Sequence, residues 1–278
     1  MAPQTLTEEQ IEDFVRDGFV RIEGAFPREL ADQVRASLWK QLDMDPDDPT
    51  TWTKEVIRLG FCDEEPFVRS ANTPRLYSAY DQLVGPGRWK QPTTMGTFPI
   101  RFPTKDKKPE DAEDFGWHID AGFLAVDIGV ETYKEWQGEM AVIPPNYEET
   151  FRYNVWSKGR ALLMLFLYSD TGEADAPTLI RVGSHLDVPP LLEPAGREGR
   201  YLHTDDVGVD RPLASATGNA GDVYLCHPFL VHTPVANVGS KPKFMAQPNL
   251  EPVAELELDR ADGRYTPLER SVRLGLGR

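Results

Sequence analysis

Two stretches decide the fold: Gly116-Trp117-His118-Ile119-Asp120-Ala121, and Gly221-Asp222-Val223-Tyr224-Leu225-Cys226-His227-Pro228-Phe229-Leu230-Val231-His232. The first reads as a short strand, along which side chains alternate between faces. His118 and Asp120 therefore project to one side and Trp117 and Ile119 to the other. The second opens on a Gly-Asp turn and runs into an apolar strand carrying two histidines, an unusual load for a segment this apolar. Five residues separate them, so an unbroken strand points them to opposite faces and only one meets the His118/Asp120 pair easily.

Around these two stretches the texture is β. Strands are expected near 94–102, 116–121, 162–168, 178–182, 223–225, 229–232 and 243–247, separated by turn residues and long polar connections. With 22 glycines and 24 prolines the chain is loop-rich, which suits a closed or double-sheet β architecture such as a jelly roll and disfavours a helix bundle. The first 45 residues read differently, as helix, strand, helix. Thr7 or Thr5 caps a helix bearing Ile11, Phe14 and Val15, and Gly18 ends it. Phe19 to Ile22 forms a short strand, and Leu30, Val34, Leu38 and Leu42 then repeat at helical spacing behind a first-turn Pro27. We expect one domain over 1–278: a helical support (1–90), a β core (91–250) and a C-terminal extension (251–278).

Composition narrows the function. Thirty Lys+Arg against 45 Asp+Glu give a formal net charge of −15, the wrong sign for a nucleic-acid binder or for an anionic membrane surface. The longest apolar run, Ala161 to Tyr168, is eight residues, where a membrane-spanning helix needs roughly twenty. The opening MAPQTLTEEQ has neither a basic nor an apolar signal region, so a cytoplasmic protein is expected. Cys62 and Cys226 are too few for a disulfide framework or a Cys-rich zinc site. A metal would have to be held by His and carboxylate. One further histidine joining His118 and Asp120 would make a facial triad with open coordination positions, the arrangement of non-haem Fe(II) oxygenases.

The order WHID, GSH, GD…HPFLVH and then a basic residue resembles the phytanoyl-CoA dioxygenase (PhyH-like) family of Fe(II)/2-oxoglutarate oxygenases. The likeness extends through LTEEQIEDFVRDGFVRIEGAF, GTFPIRFP, APTLIRVGSHLDVPPLLEPAG and YTPLERSVRLGLG, nearly the whole chain. It implies a mainly β, cupin-like double-stranded β-helix with flanking helices. It also implies that Fe(II) is bound by His118, Asp120 and His232, with 2-oxoglutarate and dioxygen as cosubstrates. The family pattern places the ligand at the second histidine of HPxxxH, with a polar residue, here Asn237, five positions on. The base for the distal carboxylate of 2-oxoglutarate stands eleven positions on. That leaves His227, held by the following Pro228, as a packed residue. Position eleven is Lys243, where the family usually has arginine; lysine supplies the charge without the bidentate fork. Arg101 and Arg181 are rival or additional anion binders, Trp136 falls where the family often sets a tryptophan beside the cosubstrate, and Thr178 is a candidate donor to it. His185 resembles a family turn next to the site, His203 reads as a solvated loop residue, and Trp117 as core. Because Asp120 is a carboxylate rather than the small residue of related halogenases, hydroxylation is the expected outcome.

The resemblance implies a dioxygenase that oxidises an unactivated C–H of a small-molecule metabolite, of the kind tailored in bacterial secondary metabolism, releasing succinate and CO2. Two alternatives remain from the residues: a cupin-like metal enzyme that does not use 2-oxoglutarate, favoured by Lys243, and a non-catalytic β-sandwich binding protein. Succinate formation separates the first reading from both. Neither the oligomeric state nor the charge of a substrate follows from the net charge.

Overall fold

The computed structural model describes residues 5–104, 106–112, 116–124 and 150–278; Trp136 lies outside them. The chain opens with helix α1 (Glu8–Asp17), strand β1 (Phe19–Ile22) and helix α2 (Arg28–Gln41). Thr7 and Gln10 form a reciprocal capping box at the start of α1, and Gly18 ends it in the left-handed region at φ 88°. Pro27 is the residue just before α2 rather than its first turn. Strand β2 (Val56–Leu59), helices α3 (Glu65–Ala71) and α4 (Pro74–Val84), strand β3 (Phe98–Arg101) and strand β4 (Phe123–Leu124) follow.

The β core continues with β5 (Phe151–Arg152), β6 (Leu162–Leu167), β7 (Leu179–Arg181), β8 (Leu213–Ser215), β9 (Val223–Cys226), β10 (His232–Thr233), β11 (Met245–Ala246) and β12 (Asn249–Leu250), before the C-terminal helix α5 (Pro267–Gly275). Pairing is antiparallel throughout. One sheet has the order β1-β9-β6-β11, with β12 also on β6, and a bridge between Arg101 and Lys243 joins it to the β2-β3 pair. The second sheet is β10-β7-β8, extended by a bridge between His118 and His232.

Strand β6 shows why the sequence must fold in layers. Its six residues are all apolar and all buried, as expected of a strand covered on both faces. Leu163, Leu165 and Leu167 pack with Ile180, Tyr224, Cys226 and Met245 between the sheets. Leu162, Met164 and Phe166 face the other way, into the larger core with Phe14, Leu30, Val34 and Leu38 of the helices. The fold is therefore helices, large sheet, small sheet. No helix among the described residues is long and apolar enough to cross a membrane.

Several expected strands are shorter than the apolar runs that announced them. Segment 116–121 holds only the bridge at His118, and 229–232 begins to pair only at His232. The reason is Pro228. The chain turns there, Leu230 N–H donating to the His227 carbonyl and Phe229 N–H to the His227 ring at 3.0 Å, so 227–231 is a tight turn and not an extended strand.

His227 and His185 lie together beneath that turn, ring centroids 4.9 Å apart and both fully buried. His185 Nε2 donates to the Val15 carbonyl at 3.1 Å, tying the turn to α1. Burial chiefly pushes His185 down to about 4, with Arg211 assisting against the Val15 hydrogen bond, Asp17 and Asp187. Burial and then His185 push His227 lower still. The unfolded chain takes up these protons below about 6.5 and the folded chain does not, so stability falls as pH drops from 6.5 toward 4. His185 alone contributes a loss of roughly 3 kcal/mol over that window. Unfolding by urea at pH 7.5, 6 and 5 should show this loss, and His185→Gln should flatten it; an unchanged slope in the variant would contradict this origin.

Candidate metal centre

The site begins with a backbone constraint. His118 N–H donates to the His232 carbonyl at 2.9 Å and His232 N–H to the His118 carbonyl at 3.0 Å. Such a directly opposed pair sends both side chains to the same face, and the imidazole centroids stand 4.3 Å apart. Asp120, two residues along, turns to the same side, its Oδ2 3.9 Å from His232 Nε2. One ligating atom from each residue lies within 4.8 Å of the others, and no other group of three or more His, Cys, Asp or Glu does this among the described residues.

Both rings are held in the tautomer a metal requires. His118 Nδ1 is 2.8 Å from the Gly116 carbonyl and His232 Nδ1 is 3.0 Å from the Leu230 carbonyl. A carbonyl can only accept, so each Nδ1 carries the proton and each Nε2 presents its lone pair. His232 Nε2 is buried and has no hydrogen-bond partner, an arrangement that costs free energy unless something electrophilic occupies it. Burial, then His118, lower the His232 pKa and keep the ring neutral. Burial works to raise Asp120, and Arg160, His232 and His118 outweigh it, so the carboxylate stays ionised below its usual range. Two neutral imidazoles and one carboxylate are the donor state that a divalent first-row metal binds, and the residues fit such an ion.

The cosubstrate candidates divide. Lys243 is 2 % exposed, and its Nζ donates to the Ala176 carbonyl at 2.6 Å. It is bridged in register with Arg101, itself buried, so the two cations face the same side. Thr178 is buried two residues beyond Ala176, its hydroxyl 3.8 Å from Met245 Sδ. Asn237 fastens this corner by donating to the carbonyls of Arg101 and Lys241. Arg181 is engaged otherwise. Its Nη1 donates to the Asp205 and Val207 carbonyls, both at 2.7 Å, and its guanidinium lies 4.1 Å over the Trp117 ring. It clamps the 204–207 loop against the outer face of the triad segment. His203 packs edge-on against Tyr201 at 5.0 Å.

Arg160 escaped the sequence reading. Its Nη1 is 3.6 Å from Asp120 Oδ2 and buried without a hydrogen-bond partner. The cause of the approach is Gly159: a Cβ there would stand 2.3 Å from the Gly122 carbonyl oxygen, so only glycine lets the two backbones meet. The one signal in the sequence was a Lys-Gly-Arg turn feeding the most apolar strand, which names no partner.

No family model matches the sequence, and no curated protein matches it in sequence. Solved structures match the fold. HygX from Streptomyces hygroscopicus, solved with iron bound, has a TM-score of 0.53 at 19% identity, with 95% of this chain and 96% of that one covered. EctD from S. alaskensis gives 0.53 at 18%, covering 89% and 77%. SnoN, a non-heme alpha ketoglutarate dependent epimerase from nogalamycin biosynthesis, gives 0.50 at 17%, covering 86% and 80%. The chain has the fold of these proteins, a mainly β jelly roll with flanking helices.

Proposed function

We propose that this chain is an Fe(II)- and 2-oxoglutarate-dependent dioxygenase that hydroxylates, or otherwise oxidises, an unactivated C–H of a small-molecule metabolite. The observation that carries this reading is the opposed His118–His232 pair, with both Nδ1 groups engaged by carbonyls, His232 Nε2 without a partner, and Asp120 beside it. His118, Asp120 and His232 would hold the iron on one face, leaving positions for a 2-oxo acid and dioxygen. The bound metal supplies the redox chemistry: 2-oxoglutarate, O2 and R–H become succinate, CO2 and R–OH.

The chain's own residues do the rest. The His118 and His232 carbonyl contacts fix the rings against rotation. Lys243, with Arg101 beside it and Thr178 nearby, would hold the distal carboxylate of 2-oxoglutarate, and the buried surroundings strengthen that charge pairing. Both described cysteines are free and buried, in keeping with a reducing cytoplasm. Related folds support a small-molecule substrate: HygX was solved with nickel, 2-oxoglutarate and hygromycin B, and EctD with 2-oxoglutarate and 5-hydroxyectoine. SnoN, from nogalamycin biosynthesis, supports a role in secondary metabolism. A cupin-like metal enzyme without 2-oxoglutarate is the second reading, favoured by a lysine at 243.

Anaerobic titration should give one Fe(II) per chain. His118→Ala, Asp120→Ala and His232→Ala should each weaken it by about a hundredfold or more, whereas His227→Ala should keep it. Retention in His232→Ala with loss in His227→Ala would reverse the ligand assignment. In a second experiment, wild-type protein with Fe(II), O2 and 2-oxoglutarate should form succinate, and Lys243→Met should raise the KM for 2-oxoglutarate by about tenfold or more, the cost of losing one charge-assisted contact. No succinate from iron-loaded wild type would favour the second reading. Normal turnover in Lys243→Met together with a dead Arg101→Met would move the anchor to Arg101.

A further inference from the structure

We propose that Arg160 is the anchor for an anionic group, carboxylate or phosphate, on the organic substrate; this rests on the metal-site reading above and extends it to the substrate's chemistry. The guanidinium is placed before any ligand arrives. Ser157, at φ 45°, closes a tight turn in which its hydroxyl donates to the Arg160 carbonyl at 2.6 Å, and Gly159 lies against the Gly122 backbone. Its Nη1 has no hydrogen-bond partner, and among the described residues the carboxylate beside it is Asp120, 3.6 Å away and too far for a hydrogen bond.

Charge decides what such a group wants. Without metal, Asp120 is the counter-ion of Arg160. A divalent ion held by His118, His232 and Asp120 would share the Asp120 charge, leaving a half-buried guanidinium whose buried Nη1 has no hydrogen-bond acceptor, a state that an anion would relieve. The cosubstrate does not need this cation, since one of its carboxylates would meet the metal and the other Lys243. An anionic acceptor for Arg160 would then come from the substrate.

The surroundings suit that group. A cleft of about 260 Å³, lined by Gly122, Phe123, Phe151, Lys158, Gly159 and Glu251 among others, reaches the chain neighbours of Arg160 but not Arg160 itself. Lys158 Nζ sits 5.0 Å over the Phe123 ring, adding a second cation and an aromatic wall. In a chain of net charge −15, whose overall field repels anions, local cations at this place select for one.

The test uses protein loaded with Ni(II) and 2-oxoglutarate, with benzoate, its neutral counterpart benzamide, and inorganic phosphate as probes in calorimetric titrations at fixed ionic strength. Wild type should bind benzoate or phosphate saturably and prefer benzoate over benzamide by about tenfold. With Ni(II) held at saturation for each variant, Arg160→Gln should lose that preference while 2-oxoglutarate affinity stays within about threefold, and Arg160→Lys should restore most of it. The proposal is overturned if wild type binds neither anion, if Arg160→Gln keeps the preference, or if that variant loses 2-oxoglutarate about tenfold, which would assign the guanidinium to the cosubstrate. Should Arg160→Gln not fold, the benzoate/benzamide ratio in wild type and Arg160→Lys decides, and a ratio near one overturns it. Failure of wild type to bind Ni(II) or 2-oxoglutarate sinks the dioxygenase reading itself; intact loading with indifference to anions sinks only the role of Arg160.

Discussion

The two hydrogen bonds between His118 and His232 are the constraint on which the site depends. They join segments 114 residues apart in sequence and set both imidazoles on one face at the open edge of the small sheet. The rest of the architecture supports that edge. His232 is also opposite Ile180 in β7, Ile180 packs onto the large sheet, and the large sheet rests on the helices through β6. A change in β6 would therefore reach the site through two layers of close packing, because interiors of this density transmit displacement rather than absorb it.

Electrostatics follows from the same placement. Burial keeps His232 neutral, and Arg160 chiefly keeps Asp120 ionised. Neither state requires a metal, so the donor set is poised before loading. Cations then stand in two places, Lys243 with Arg101 at one bridge and Arg160 with Lys158 near the triad segment.

Much of this was legible in the sequence, for physical reasons. Parity along 116–121 put His118 and Asp120 on one side even though only His118 is paired there, because the period of two belongs to any extended backbone. The alternation in β6 was hidden by burial on both faces, which erases the polar half of the pattern. His227 and His232 could not be told apart by parity alone, since Pro228 breaks the strand between them and invalidates the count. Resemblance to a family supplied His232, and the turn at 227–230 now supplies a physical reason for the separation. Arg160 was invisible because its neighbour Asp120 comes from another part of the chain, and the glycine contact that joins them, Gly159 on Gly122, leaves no mark in local pattern. Arg181 looked like an anion binder from sequence; only tertiary structure shows its guanidinium on the carbonyls of the 204–207 loop.

The most direct measurement is an anomalous-difference map from crystals grown with Mn(II) and 2-oxoglutarate. The account predicts a single strong peak between His118 Nε2, His232 Nε2 and the Asp120 carboxylate, at about 2.0 to 2.3 Å from each, the range of first-row metal bonds to imidazole and carboxylate. A peak at the His185–His227 pair instead, or none at the triad in crystals whose protein binds Mn(II) in solution, would contradict it.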